Sequence, residues 1–166
     1  MQYQAPITDI KFILFDVLGA DGLHELERYK EATPDLIEAI LEGMGKFASE
    51  LIQPTNSPGD AEGCTYDTET HAVTTPSGFK ALYQQFAEAG WTSLDAPVEY
   101  GGQGLPHVLK FVVDEMVCST NLSFGMYPGL SHGAISAIYS HGNQVLRDTY
   151  LEKLISGQWT GTMCLT

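Results

Sequence analysis

The apolar side chains between Leu36 and Leu51 leave this chain little choice of fold. Leu36, Ile37, Ile40, Leu41, Met44, Phe47 and Leu51 recur at helical spacing, the pattern that lines one face of an amphipathic helix. Thr33-Pro34 stands just before them, a hydroxyl cap followed by a proline at the first helical position. The spacing predicts a helix from Pro34 to about Gln53, which must bury its stripe against neighbours.

The same pattern recurs along the chain. Thr8-Asp9 opens a short helix over Ile10–Leu18, closed by Gly19, whose Phe12, Ile13, Leu14, Phe15, Val17 and Leu18 leave so little polar face that it must dock on something. A charged helix is expected from about Gly22 to Ala32. Thr75-Pro76 repeats the cap-plus-proline start ahead of Phe79, Leu82, Tyr83, Phe86 and Ala87, and Gly90 sits where a helix ends on glycine. Pro106 begins a helix carrying Val108, Leu109, Val112, Val113, Met116 and Val117. The small-residue stretch Ser119–Gly129 leads to a helix over Leu130–His141, stopped by Gly142. Asn143 caps a last helix that ends at Gly157.

Two stretches depart from this pattern. Residues 54–76 collect the turn formers Pro54, Asn56, Ser57, Pro58, Gly59, Asp60 and Gly63. Within them Cys64–Tyr66 and His71–Thr74 can pair as a small hairpin across Asp67–Thr70. The tail Trp159–Thr166 has the residue types of a β-strand but no partner strand in the sequence. Because a strand cannot satisfy its backbone groups alone, we expect it to belong with a further domain. The fold class expected is therefore all-α, a helical bundle with a hairpin or loop near 54–76 and an orphan C-terminal strand.

Composition narrows the function. The 166 residues carry 21 acidic and 8 basic side chains, a formal net charge of −13. Of these, 14 acidic and 4 basic lie in residues 1–70, so the N-terminal part is an acidic, solvated zone. A surface this acidic repels nucleic acid and anionic lipid. No apolar run approaches the ~20 residues of a membrane-spanning helix, and MQYQAPITD lacks the pattern of a signal peptide. Three widely spaced cysteines, Cys64, Cys118 and Cys164, make neither a disulfide framework nor a metal-ligand spacing, and point to a reducing cytoplasm.

Spacing alone yields no catalytic constellation. His24, His71, His107, His132 and His141 fall in different segments, and none forms an i, i+4 pair or an HExxH pattern; each is expected to be structural or at the surface. Cys164 is a weak candidate nucleophile, since no base accompanies it. Asp114-Glu115 are adjacent on a helix and so point apart. Tyr100-Gly-Gly-Gln-Gly-Leu-Pro lacks both the Lys-Ser/Thr of a phosphate-binding loop and the strand–turn–helix setting of a dinucleotide fingerprint; it reads as a tight loop whose glycines permit positive φ.

Three motifs in order nonetheless resemble one family. Ala96-Pro-Val-Glu-Tyr-Gly-Gly-Gln-Gly-Leu is similar to the proline–tyrosine–glycine loop of the acyl-CoA dehydrogenases. Asp114-Glu115 with Ser119 looks like the acidic pair on that family's next helix. His141-Gly-Asn and Tyr150-Leu-Glu-Lys-Leu-Ile-Ser-Gly-Gln-Trp-Thr-Gly-Thr-Met-Cys-Leu-Thr resemble its helix end and the strand that enters the flavin site. Phe12–Leu18, Gly59–Cys64 and Val73–Phe79 are similar to the longer members related to 3-methylmercaptopropionyl-CoA dehydrogenase, which begin with an extra helical segment.

The resemblance implies an N-terminal extension over 1–32, the helical domain over 33–157, and the first strand of a missing β-barrel domain over 158–166. It implies FAD as the cofactor of the complete protein, with Met163, Leu165 and Thr166 matching positions that contact the flavin. Phe124, Gly125 and Pro128 match positions that line the acyl pocket, or else a helix junction packed with small residues. An acyl-CoA substrate and electron-transfer flavoprotein are the implied partners, and apolar surface meant for the barrel leads us to expect a homo-oligomer. The catalytic base would lie outside this chain, which should be inactive alone. The alternatives are a free-standing helical interaction module derived from that domain and a Cys164-dependent hydrolase.

Overall fold

The computed structural model describes residues 3–164. Helix α1 (Ile7–Lys11) runs into a π-helical turn over Phe12–Val17, and Gly19 at φ 63° closes it. Only one side docks. Ile10 and Leu14 are buried and Lys11 pairs with Glu38 at 2.6 Å, while Phe12, Ile13, Val17 and Leu18 stay exposed. The charged stretch that follows is not one helix but two short 3-10 turns, Ala20–Glu25 and Glu27–Tyr29.

Helix α2 (Pro34–Phe47) begins as its sequence dictates. Thr33 Oγ1 accepts from the Leu36 amide at 3.3 Å, and the helical path continues through π and 3-10 turns to Thr55. Asn56–Glu62, expected as loop, forms helix α3. Pro58 lies in its first turn, where a missing N–H costs nothing. The hairpin is present: β1 (Thr65–Tyr66) pairs antiparallel with β2 (Val73–Thr74), with Thr65 opposite Thr74 and Tyr66 opposite Val73. The Asp67 carboxylate accepts from the Glu69 and Thr70 amides at 2.8 and 2.9 Å, which pulls its pKa below the usual carboxylate value.

Helix α4 (Phe79–Glu88) starts three residues beyond Pro76. Gly78 is the reason: at φ 87° it cannot lie inside a right-handed helix. Helix α5 (His107–Thr120) follows Pro106 as expected. Helix α6 spans Leu122–His141, beginning eight residues before the expected Leu130 and carrying Pro128 inside it. Asn121 is responsible. Its side chain accepts from the Phe124 amide at 3.1 Å, and its NH2 donates to Thr55 Oγ1 at 2.9 Å. Helix α7 (Gln144–Ile155) is capped by Asn143, which accepts from the Leu146 amide at 3.0 Å.

Residues 159–164 form no strand. A strand exists only where a second backbone completes its ladder, and none lies alongside among the described residues. The segment instead crosses α6: the Gly161 amide donates to Ser131 Oγ at 3.1 Å, and Tyr127 OH donates to Thr160 Oγ1 at 3.2 Å.

The main core joins α1 and its π-turn, α2, α4, α5 and the start of α6 through Ile10, Leu14, Ile37, Leu41, Met44, Phe86, Leu109, Met116 and Phe124. A smaller cluster of Ala96, Ile135, Leu151, Leu154 and Ile155 ties the far half of α6 to α7 and the glycine loop. No helix among the described residues is long and apolar enough to cross a membrane.

Candidate functional site

A groove of about 910 Å³ lies between α3, α4 and the start of α6. Aromatic rings form its floor. Phe124 meets Phe79 and Phe86 edge-on, with ring centres 6.4 and 5.5 Å apart, and Tyr83 meets Tyr127 at 5.0 Å. Edge-to-face pairs at these separations hold each ring in place. Gly59 makes the Phe79 position possible: a Cβ there would lie 2.6 Å from Phe79 Cε2. Tyr83 OH donates to the Gly157 carbonyl at 3.2 Å, anchoring the end of α7 to the wall. Burial, and then Tyr127, raise the Tyr83 pKa. Asp60, Lys80 and Glu88 supply charge at the lining. An apolar trough with charged groups along it suits a ligand with an apolar chain and a polar end.

The sequence-derived site residues fall in different places. Phe124 lines the groove. Gly125 faces α5, where an added Cβ would sit 2.9 Å from Cys118 Sγ. Pro128 is buried one turn further along α6. Met163 is exposed in the segment that crosses α6. Leu165 and Thr166 lie outside the described residues. Of the thiols, Cys164 meets the Thr162 hydroxyl at 3.6 Å, and among the described residues no base lies against it. Burial, and then Asp114, push the Cys118 thiol up, away from the nucleophilic thiolate. Asp114 pairs with the buried Lys110 one turn before it on α5.

A second grouping escapes the sequence. His107 Nδ1 at the start of α5 and His132 Nε2 in the middle of α6 both reach Asp95 Oδ2 in the glycine loop, the latter at 3.0 Å. The two imidazoles stack with centres 5.3 Å apart and planes 15° from parallel. Burial works against the Asp95 charge, but hydrogen bonds from His132 and His107, and then their charges, hold its pKa down at about 2. No spacing rule finds such a trio, because its members come from three elements at separations of 12 and 37 residues.

Comparison with known proteins places the chain. Residues 35–158 match the family model for the acyl-CoA dehydrogenase N-terminal domain. The whole chain is 42% identical to 3-methylmercaptopropionyl-CoA dehydrogenase of Ruegeria pomeroyi, covering 28% of that protein. It is 31% identical over 166 residues to a butyryl-CoA dehydrogenase of Syntrophomonas wolfei, covering 27% of it. In three dimensions it resembles butyryl-CoA dehydrogenase of Megasphaera elsdenii, with a TM-score of 0.60 at 18% identity, over 76% of this chain and 30% of that one. A structure described as the electron transferring flavoprotein of Acidaminococcus fermentans matches with a TM-score of 0.59 at 21% identity, over 75% of this chain and 30% of that one. The chain thus spans less than a third of the length of these relatives. The chain belongs to the acyl-CoA dehydrogenase N-terminal domain family.

Proposed function

We propose that this chain is the N-terminal helical part of a FAD-dependent acyl-CoA dehydrogenase, a longer protein that oxidises an acyl-CoA thioester to its 2,3-enoyl-CoA. One observation carries the reading: 42% identity along the entire chain to a dehydrogenase whose name specifies an acyl-CoA. The proposed division is an extension over 1–32, the helical domain over 33–157 and the start of a middle domain over 158–166.

In this reading the chain's own residues bind, shape and exclude water. Phe124 presents an apolar face to the acyl chain. Gly125 sets how closely α6 approaches α5, and Pro128 shapes the same stretch of α6. Met163, Leu165 and Thr166 are the proposed flavin contacts; Met163 fits that role in being exposed on a segment that has no strand partner among the described residues. When bound, FAD would supply the hydride-accepting chemistry for the substrate's β-carbon. The carboxylate that removes the α-proton is assigned to the remainder of the longer protein. Electron-transfer flavoprotein is the proposed acceptor, matching the name of one structural neighbour. A homo-oligomer fits the apolar side chains left exposed on the N-terminal π-turn, and three free cysteines fit a reducing cytoplasm.

The test has two arms. The 166-residue chain, purified alone, should show no flavin absorbance and no dye-coupled oxidation of any acyl-CoA. The coding sequence should continue in frame, and its longer product should bind FAD and reduce it with an acyl-CoA. Activity in the short chain, or a long product whose flavin no acyl-CoA reduces, would sink the reading.

A further inference from the structure

We propose that Asp95, His107 and His132 form a binding site for one divalent transition-metal ion of borderline softness, with Zn2+ as the type. The site stands apart from the groove and from the acyl-CoA reading.

Three observations converge on it. First, the ligating atoms already meet. One carboxylate oxygen and two imidazole nitrogens lie within 4.8 Å of one another. Zinc bonds to nitrogen and oxygen of about 2.0–2.2 Å put neighbouring ligands roughly 3 Å apart, and His132 Nε2 is 3.0 Å from Asp95 Oδ2. The two rings lie nearly parallel, and both nitrogens face the same Asp95 oxygen.

Second, the carboxylate lacks a full set of partners. The Asp95 side chain is only 9% exposed, and its Oδ1 is shut from solvent without a hydrogen bond. Among the described residues no Lys or Arg pairs with it. A buried carboxylate oxygen without a hydrogen bond is costly, and a metal ion would offset the charge of the group directly. Third, the site has an entrance. The His107 side chain is 51% exposed, so an ion can arrive from solvent, and with three protein ligands a fourth position remains for water or an exogenous group.

The donor set chooses the ion. Two imidazoles and a single carboxylate suit zinc and its neighbours, whereas Mg2+ and Ca2+ demand mostly oxygen. On binding, His107 Nδ1 and His132 Nε2 give up their hydrogen bonds to Asp95 and offer lone pairs. Each neutral ring keeps its proton on the outer nitrogen, and any imidazolium proton goes to solvent. The ion would brace the glycine loop against α5 and α6, which already meet at this point.

Equilibrium dialysis of the full protein against ZnCl2, with MgCl2 as the contrast, tests the site. One equivalent of Zn2+ and no Mg2+ should bind. His107→Ala, His132→Ala and Asp95→Asn should each weaken uptake at least as much as loss of an outer-shell partner does, roughly 10–100-fold. His24→Ala and His141→Ala, exposed histidines elsewhere, should leave uptake unchanged, as should replacing Cys64, Cys118 and Cys164 together by serine. If His132→Ala does not fold by circular dichroism, the half-exposed His107 and the near-isosteric Asp95→Asn still decide the matter. No stoichiometric uptake, uptake unchanged in His107→Ala and Asp95→Asn, or uptake lost with the cysteines would each overturn the proposal and leave Asp95 as a hydrogen-bond hub.

Discussion

At the scale of single residues, the glycine loop separates two uses of glycine. Gly101 and Gly104 adopt φ of 86° and 65°, a conformation that side chains with a Cβ resist. Gly102 is needed for space: a Cβ there would lie 2.0 Å from the Ala96 carbonyl oxygen, and backbone cannot step aside as a flexible side chain can. Gly102→Ala is therefore expected to destabilise the protein by about 1–3 kcal/mol through forced backbone movement, read as a lowered urea midpoint. An unchanged midpoint would show that the loop relaxes freely. The loop has reason to resist, since its amides at Gln103, Gly104 and Leu105 donate back to Ser93, Ala96 and Leu94 at 2.9–3.0 Å. The sequence announced a tight loop here. That it also presents Asp95 to two histidines was invisible, because proximity across 12 and 37 residues is a product of packing.

At the scale of elements, caps decided where helices begin, and the misread boundaries trace to particular side chains. Thr33, Asn143 and the glycine after α4 behave as their sequence patterns suggest. Asn121 does not, because the glycines and Pro128 that follow it look like a break. In the structure Asn121 is 1% exposed and caps α6 while donating to Thr55 Oγ1, which itself donates to the Ile52 carbonyl at 2.7 Å. This relay starts α6 early enough to set Phe124 in the floor of the groove and lets the helix absorb Pro128. Asn121→Ala removes the cap and leaves polar groups unpaired, so a loss of about 2 kcal/mol is expected. Asn143→Ala, at an exposed cap, should lose about 1 kcal/mol. Equal losses in thermal denaturation would show that the tie to Thr55 adds nothing.

At the scale of the whole molecule, α6 belongs to both apolar clusters. Phe124 sits in the main core and Ile135 in the smaller one, so neither should melt independently. Leu109→Ala in the main core and Leu151→Ala in the smaller cluster remove side chains that are 0% exposed. Each is expected to cost about 2–5 kcal/mol and to lower a single shared transition followed by far-ultraviolet circular dichroism and tryptophan fluorescence. Two separated transitions in Leu151→Ala would show that α7 folds as its own unit.

The sequence by itself determined that the chain is helical, where α2, α5 and α7 start, where α4, α6 and α7 stop, where the hairpin lies, and which family it belongs to. These follow from local periodicity, from side-chain caps and from motifs whose parts are close in sequence. Only the tertiary structure decided that α6 is one helix, that Phe124 rather than Gly125 or Pro128 faces the groove, that residues 159–164 lie across α6, and that Asp95, His107 and His132 meet. The physical reason is the same in each case. Hydrogen-bond partners and close approaches between distant segments depend on which faces the core has already paired, and no short stretch of sequence carries that information.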